Sequence, residues 1–465
     1  MSEAALYLRK GAVAPAPAAG DAAIILDTDG VIKAVDNDGV KTALGGGLTS
    51  GLTSGVVSTK VGSNPNAALT IVIDPIAANG VTDDTQALKN WIASVPANQG
   101  AEIILPAGDI LLSSNVLASA MAGLTFTGRG RAATRLVAKS TYNGDLLTLQ
   151  NCIDTKIRDL TCTAQAARTG GGYIVISGGS PTIHLPGFAL NAACCFVDRV
   201  DMDSMFNGVV MQDSSPANGC WQVYVRGGFY RGVSPGGVAV WMNSTDQVAG
   251  FPAGGSMFCE DLWILGADAP PANTYGIRVQ GTSDFTLSRC ETWGLTNGLR
   301  IDPGAGQTVE AGNIIGCFFD FSAAECAVIK AVTGSNVTQI LIDNTWFAGG
   351  TKGLFIDGSG GGNLSYTAIS NSRFYANSAL GLETLSQTNA TVTGCQFQGN
   401  VVQDLYFAGN GVGNTATGNR CSSPGANGIQ VDAANNNYVL SGNNTAGSLG
   451  IVDNGTAPRA VGNNL

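Results

Sequence analysis

The sequence is poor in the groups on which many catalytic centres depend. Its 465 residues include one histidine, His184, and only 12% are charged. With a single histidine and no C-x-x-C pair, neither a zinc site nor a Ser–His or Cys–His nucleophile is expected. No run approaches the ~18 apolar residues of a membrane span. Residues 1–20 carry Glu3, Arg9 and Lys10 and lack the apolar core of a secretory signal, so any route out of a cell is expected to be a different one. A net charge of −10 argues against nucleic acid or an anionic membrane as a partner.

What is present is glycine, 64 of them, and a repeat. LSRCETW from Leu287, IIGCFF from Ile314, IDNTWF from Ile342, ISNSRF from Ile369, VTGCQF from Val392, ATGNRC from Ala416 and LSGNNT from Leu440 are versions of one pattern. Their matched final positions are Thr292, Phe319, Phe347, Phe374, Phe397, Cys421 and Thr445, spaced 27, 28, 27, 23, 24 and 24. Periods of this size mark a solenoid, and alternating apolar and polar residues within each copy mark strands. A second ladder runs out of phase: GIRV at Gly276, GLRID at Gly298, AVIK at Ala327, GLFID at Gly353, GLETL at Gly381, DLYF at Asp404, GIQV at Gly428 and GIVD at Gly450. Two strands per repeat, with no helical pattern between them, predict an all-β, right-handed, single-stranded parallel β-helix whose coils bury their inward side chains against one another. Cys290, Cys317 and Cys395 share an inward column and Cys421 sits two places on. The eleven cysteines are therefore read as small buried hydrophobes rather than disulfides.

Three segments are expected. Residues 1–45 carry Asp29-Gly30 and Asp38-Gly39 between short apolar strands, a hairpin signal. So few strands need a partner or a trimer to be stable. Residues 46–70 are Gly/Ser/Thr-rich with two copies of GLTSG, the composition of a linker. Residues 71–465 form the β-helix, with coils over about 103–453 and a cap helix over about 83–95. In that helix Ala87, Leu88, Trp91, Ile92 and Val95 fall on one face, and Thr82, Asp83 and Asp84 are candidate N-caps. Gly128-Arg129-Gly130 is read as a turn, and 165–192 and 228–257 as insertions that could carry binding function.

The stretch GVTDDTQALKNW from Gly80, followed by LPAGD at Leu105 and by GRGRAATRL at Gly128, resembles the entry motif of the pectate-lyase-like β-helix superfamily, to which many phage tailspikes belong. LYLRKG at Leu6 with the hairpin after it resembles the virion-attachment segments of tail fibres and spikes. The resemblance implies a homotrimeric tailspike, attached to the virion tail or baseplate through residues 1–45 and made in the host cytoplasm without a signal peptide. Its partner would be a bacterial surface polysaccharide, capsule or O-antigen, which it would bind and depolymerise. A non-catalytic spike and a polysaccharide lyase are the alternatives.

Alternation also points to a site. Residues between the inward columns must face outward: Asp201 and Asp203, Tyr224 and Arg226, Trp263, Glu291 and Trp293, Phe318 and Asp320, Trp346, then Arg373 and Tyr375. Trp263, Trp293, Phe318, Trp346, Arg373 and Tyr375 supply flat rings for sugar faces and charge for hydroxyls and carboxylates, and are the candidate substrate-binding set. Glu291 and Asp320 fall diagonally on successive coils, with Cβ atoms about 8 Å apart. That suits the acid and base of an inverting glycosidase, ~6.5–9.5 Å apart. No metal ligand set and no cofactor is expected. The second ladder offers Asp357 and Glu383 as an alternative pair. Arg278 faces outward there too, and Arg300 with Asp302 could be the base and calcium ligand of a pectate-lyase-like elimination, without a cluster of three carboxylates. An exposed aromatic face is equally the mark of a subunit interface.

Overall fold

The structure is a computed structural model. It describes residues 76–95, 100–178, 192–213, 220–243, 255–457, 459–462 and 464, with short strand segments at 23–26, 32–35, 41–43, 56–59, 184–185 and 188–189. Two units are present, Met1–Ser54 and Gly55–Leu465. In the first, Ala23–Leu26, Ile32–Val35 and Lys41–Ala43 form an antiparallel sheet in that order. The rest of the expected attachment segment, including both Asp-Gly turns, lies outside the described residues. Val56–Thr59 falls within the stretch read as linker, yet it pairs antiparallel with Ala101–Ile104.

The second unit opens with one helix, Thr85–Ser94, which buries Leu88, Trp91 and Ile92. The expected capping by carboxylate differs in detail. Asp84 holds the N-cap position, but its carboxylate turns back to accept the amides of Ala77 at 2.7 Å and Ala78 at 3.1 Å. Asp83 instead accepts the amide of Thr85 at 3.0 Å, and the Thr85 hydroxyl in turn accepts the amide of Ser113 at 2.9 Å. Asp83 thus serves the first amide of the helix, Asp84 folds the preceding segment back on itself, and the Thr85–Ser113 bond ties the helix start to the first coils.

The remainder is a stack of parallel coils. A representative coil runs Phe285–Ser288, Glu291–Trp293 and Asn297–Ile301. The first two strands belong to one long sheet and the third to a thirteen-stranded sheet. The bend between the first two strands is made by a residue with positive φ in coil after coil: Asp159, Arg199, Gly227, Asp261, Arg289, Gly316, Asn344, Asn371, Gly394, Gly418 and Gly442. Glycine and asparagine take this conformation readily. Where an arginine occupies the corner, it binds the corner aspartate of the coil before it: Arg289 to Asp261 at 2.7 Å and Arg199 to Asp159 at 2.8 Å.

Inside, the ladder is continuous. Thr292, Phe319, Phe347, Phe374, Phe397 and Cys421 are register partners in succession. The phenyl rings stack with centroids 5.6, 5.0 and 4.7 Å apart. Cys290, Cys317, Cys395 and Cys421 are fully buried free thiols, as expected. Beside them runs a buried amide ladder. Asn377 donates to Asn400 at 2.9 Å and Asn419 to Asn443 at 2.9 Å, which satisfies polar groups that burial would otherwise penalise.

The two stretches read as insertions contain coil strands. Gly172–Gly178 and Val238–Asn243 belong to the thirteen-stranded sheet, and Phe229–Arg231 to the long sheet. Their Gly/Pro-rich surroundings hid two further rungs of the second ladder. Residues 244–254 of the later stretch lie outside the described residues.

Candidate functional site

Strand register assembles the site. Phe229, Trp263, Glu291, Phe318, Trp346, Arg373, Gln396 and Arg420 are successive partners on the outer face of the long sheet. Two residues along each strand runs a parallel column: Arg231, Leu265, Trp293, Asp320, Ala348, Tyr375 and Gln398. All eight candidate residues of the first face therefore share one surface. The arrangement follows from alternation, because the inward Thr/Phe column forces both flanking positions outward.

The face is aromatic and open. Trp263 is 53% exposed and Phe318 50%. Rings meet in pairs: Phe229 with Trp263 at 6.3 Å, Trp293 stacked on Phe321 at 5.1 Å, and Trp346 with Tyr375 at 5.5 Å. Two of these rings were not among the candidates. Phe229 had been assigned to an insertion, although FYR repeats the WIL, ETW, FFD, WFA and RFY pattern of later coils. Phe321 follows its strand with φ 50° and so escapes the alternation rule. Tyr224 and Arg226 do not join this face. They stand on the preceding strand of their coil, where Tyr224 stacks between Phe196 and Phe258 at 4.8 and 4.7 Å.

Glu291 and Asp320 have the diagonal relation expected of them: Glu291 pairs with Phe318, and Asp320 with Trp293. Partial burial pushes the Asp320 carboxyl above the usual carboxylate range, opposed in part by the Phe321 amide donating to it at 2.8 Å. No ion pair of Glu291 or Asp320 occurs among the described residues.

The alternative pair looks structural. Asp357 is 4% exposed and Glu383 8%, and each is neutralised by a lysine: Lys330 at 3.0 Å and Lys352 at 2.5 Å. Asp357 also accepts the amide and hydroxyl of Ser359, and it lies inside the strand Lys352–Gly360 rather than in a turn. On the same sheet Asp302 is held by two arginines, bidentately by Arg278 at 2.9 and 2.8 Å and by Arg300 at 2.7 Å. An aspartate so engaged is poorly placed to ligate calcium. Among the described residues no three His, Cys, Asp or Glu side chains converge as a metal site would need.

Fold and register together define a right-handed parallel β-helix protein. Residues 275–464 match the family described as right handed beta helix region. Solved structures share the architecture at low identity. Tailspike protein 3 of bacteriophage CBA120 superposes with a TM-score of 0.57 at 14% identity, over 88% of this chain and 65% of that one. The A-module of mannuronan C-5 epimerase AlgE6 from Azotobacter vinelandii superposes with a TM-score of 0.53 at 16% identity, over 84% of this chain and 97% of that one. At these identities the likeness is one of fold. No curated protein matches the sequence. No helix among the described residues is long and apolar enough to cross a membrane.

Proposed function

We propose that this β-helix binds a bacterial surface polysaccharide along the outer face of its long sheet and cleaves it by glycoside hydrolysis. The observation that carries this reading is the continuous column from Phe229 to Arg373, in which pairs of rings, Trp263 and Phe318 the most exposed, are followed by Glu291 and Arg373 and lie beside Asp320. Rings at coil spacing can stack on the apolar faces of successive sugars, while the carboxylates and Arg373 hydrogen-bond their hydroxyls. Asp320, whose carboxyl burial pushes above the usual carboxylate range, is suited to protonate the leaving glycosidic oxygen. Glu291, diagonal to it, is placed to activate water on the opposite side of the sugar. The tailspike and epimerase folds are consistent with a polysaccharide ligand, and the tailspike likeness supports a virion-tail location; attachment through residues 1–45 and a parallel homotrimer are part of the same proposal.

Incubation with a panel of capsular and O-polysaccharides, assayed for new reducing ends, tests the proposal. Binding without cleavage would leave a non-catalytic spike. A second reading, a subunit interface, is favoured by the half-exposed Trp263 and Phe318. It predicts that removing them weakens assembly rather than glycan binding.

A further inference from the structure

Towards the N-terminal coils the aromatic face runs into an open groove of about 950 Å³. Its floor continues the first column: Arg135 is the register partner of Thr161, and Thr161 of Asp201. Asp201 then accepts the amide of Phe229 at 3.0 Å, the ring that leads into Trp263. Four arginines line the groove, Arg129, Arg131, Arg135 and Arg231, in a chain whose net charge is −10. Three are held in place by aspartates: Arg131 by Asp201 at 3.0 Å, Arg135 by Asp109 at 2.5 Å, and Arg231 by Asp203 at 3.2 Å. Arg231 also lies over the Phe229 ring, 5.7 Å from its centroid. Arg129 differs. It is exposed at the rim, and no carboxylate lies within ion-pair distance of it among the described residues.

This is a built feature rather than scattered surface charge. Each of the three arginines keeps N–H groups beyond those its aspartate accepts, and a guanidinium fork matches the paired oxygens of a carboxylate or phosphate. The unpaired Arg129 leaves one positive charge uncompensated beside them. From the proposed polysaccharide reading, on which this step rests, we infer that the groove binds an anionic substituent, carboxylate or phosphate, on the same glycan that lies across the aromatic rings. The substrate is then an acidic polysaccharide running along the helix axis. From Arg135 to Trp346 the column makes seven coil-to-coil steps. At ~4.8 Å per step that is roughly 34 Å, room for several sugars. Mixed charge on the groove floor also suits the hydroxyls around each acidic group, since Asp201 and Asp203 can accept where the arginines donate.

An immobilised panel of neutral and acidic bacterial polysaccharides, with each acidic one also in carboxyl-reduced form, tests this. Wild type, Arg129→Ala and Trp263→Ala are compared. Wild type should bind acidic members. Arg129→Ala should weaken that binding by about tenfold or more, the weight of one charge-assisted contact, with an unchanged melting temperature and unchanged binding to the carboxyl-reduced form. Trp263→Ala should weaken both forms. Dependence on Arg129 that survives carboxyl reduction of a phosphorylated glycan assigns the anion as phosphate. Binding confined to neutral glycans, or an Arg129→Ala variant equal to wild type on acidic ones, overturns the inference while leaving the aromatic face intact. Unaltered binding in Trp263→Ala, or no binding to any member, removes the polysaccharide reading itself.

Discussion

Glu291 and Asp320 stand on successive coils, offset by two residues along the strand, each facing an aromatic partner across the register: Phe318 for Glu291 and Trp293 for Asp320. Parallel strands fix this offset, so the separation of the two carboxyl-bearing positions is set by backbone spacing rather than by flexible loops. Asp320 is half-buried, with its pKa raised by burial, and it accepts the Phe321 amide.

That burial gives a pH-dependent stability prediction. A carboxyl with a raised folded pKa binds its proton more tightly in the folded chain. The associated stability is fully present below the unfolded pKa and is lost as pH rises through the folded one. At neutral pH Asp320 is thus a cost, and Asp320→Asn is expected to leave the melting temperature unchanged or raise it. Thermal melts at pH 4 and pH 7 check the sign, since the difference between variant and wild type should grow with pH. On the proposed mechanism, cleavage by wild type should fall on the alkaline side with the protonated fraction of Asp320.

Calcium separates hydrolysis from elimination. Asp302 is held by Arg278 and Arg300, and Asp357 by Lys330, so these two carboxylates of the second ladder are already compensated. Cleavage should survive a chelator and produce no absorbance from unsaturated uronates. Loss of activity with chelator, together with such absorbance, would favour a lyase.

Phe347 tests the internal ladder. It is fully buried and stacked between Phe319 and Phe374. Phe347→Ala should cost about 3–5 kcal/mol, transfer and cavity terms together, read as a lower denaturation midpoint. Phe347→Leu should recover a large part of the loss.

Assembly is a separate expectation. The few strands of the first unit and the exposed rings of the second argue for a parallel homotrimer. Light scattering at micromolar concentration should give three times the 47.3 kDa chain mass, whereas a stable monomer would refute it.

The coils were legible because alternation and a 23–28-residue period act on every strand at once. Phe319 through Cys421 could be set in one column from spacing alone, and the outward residues beside them follow. Where that signal thinned, the reading failed for physical reasons. Phe229 and Trp241 sit on coil strands between Gly/Pro-rich turns, which look like insertions. Asp83 and Asp84 have the chemistry of helix caps, but the fold of the short segment before the helix decides which amides, Thr85 or Ala77 and Ala78, their oxygens accept. Arg129 is a turn residue in sequence. Arg131 and Arg135 are its neighbours in sequence, but Arg231 comes from a coil three steps further along the stack, a juxtaposition that no local pattern encodes.

The most direct measurement is release of reducing ends from a bound bacterial polysaccharide by Glu291→Gln and Asp320→Asn, with glycan binding and oligomeric state measured on the same samples. If the two carboxyls are base and acid, each variant should keep binding, assembly and thermal stability while turnover drops by about 10²–10⁴, the usual weight of general acid–base catalysis. Full cleavage activity in both variants would contradict the account, as would activity lost only in step with weakened assembly.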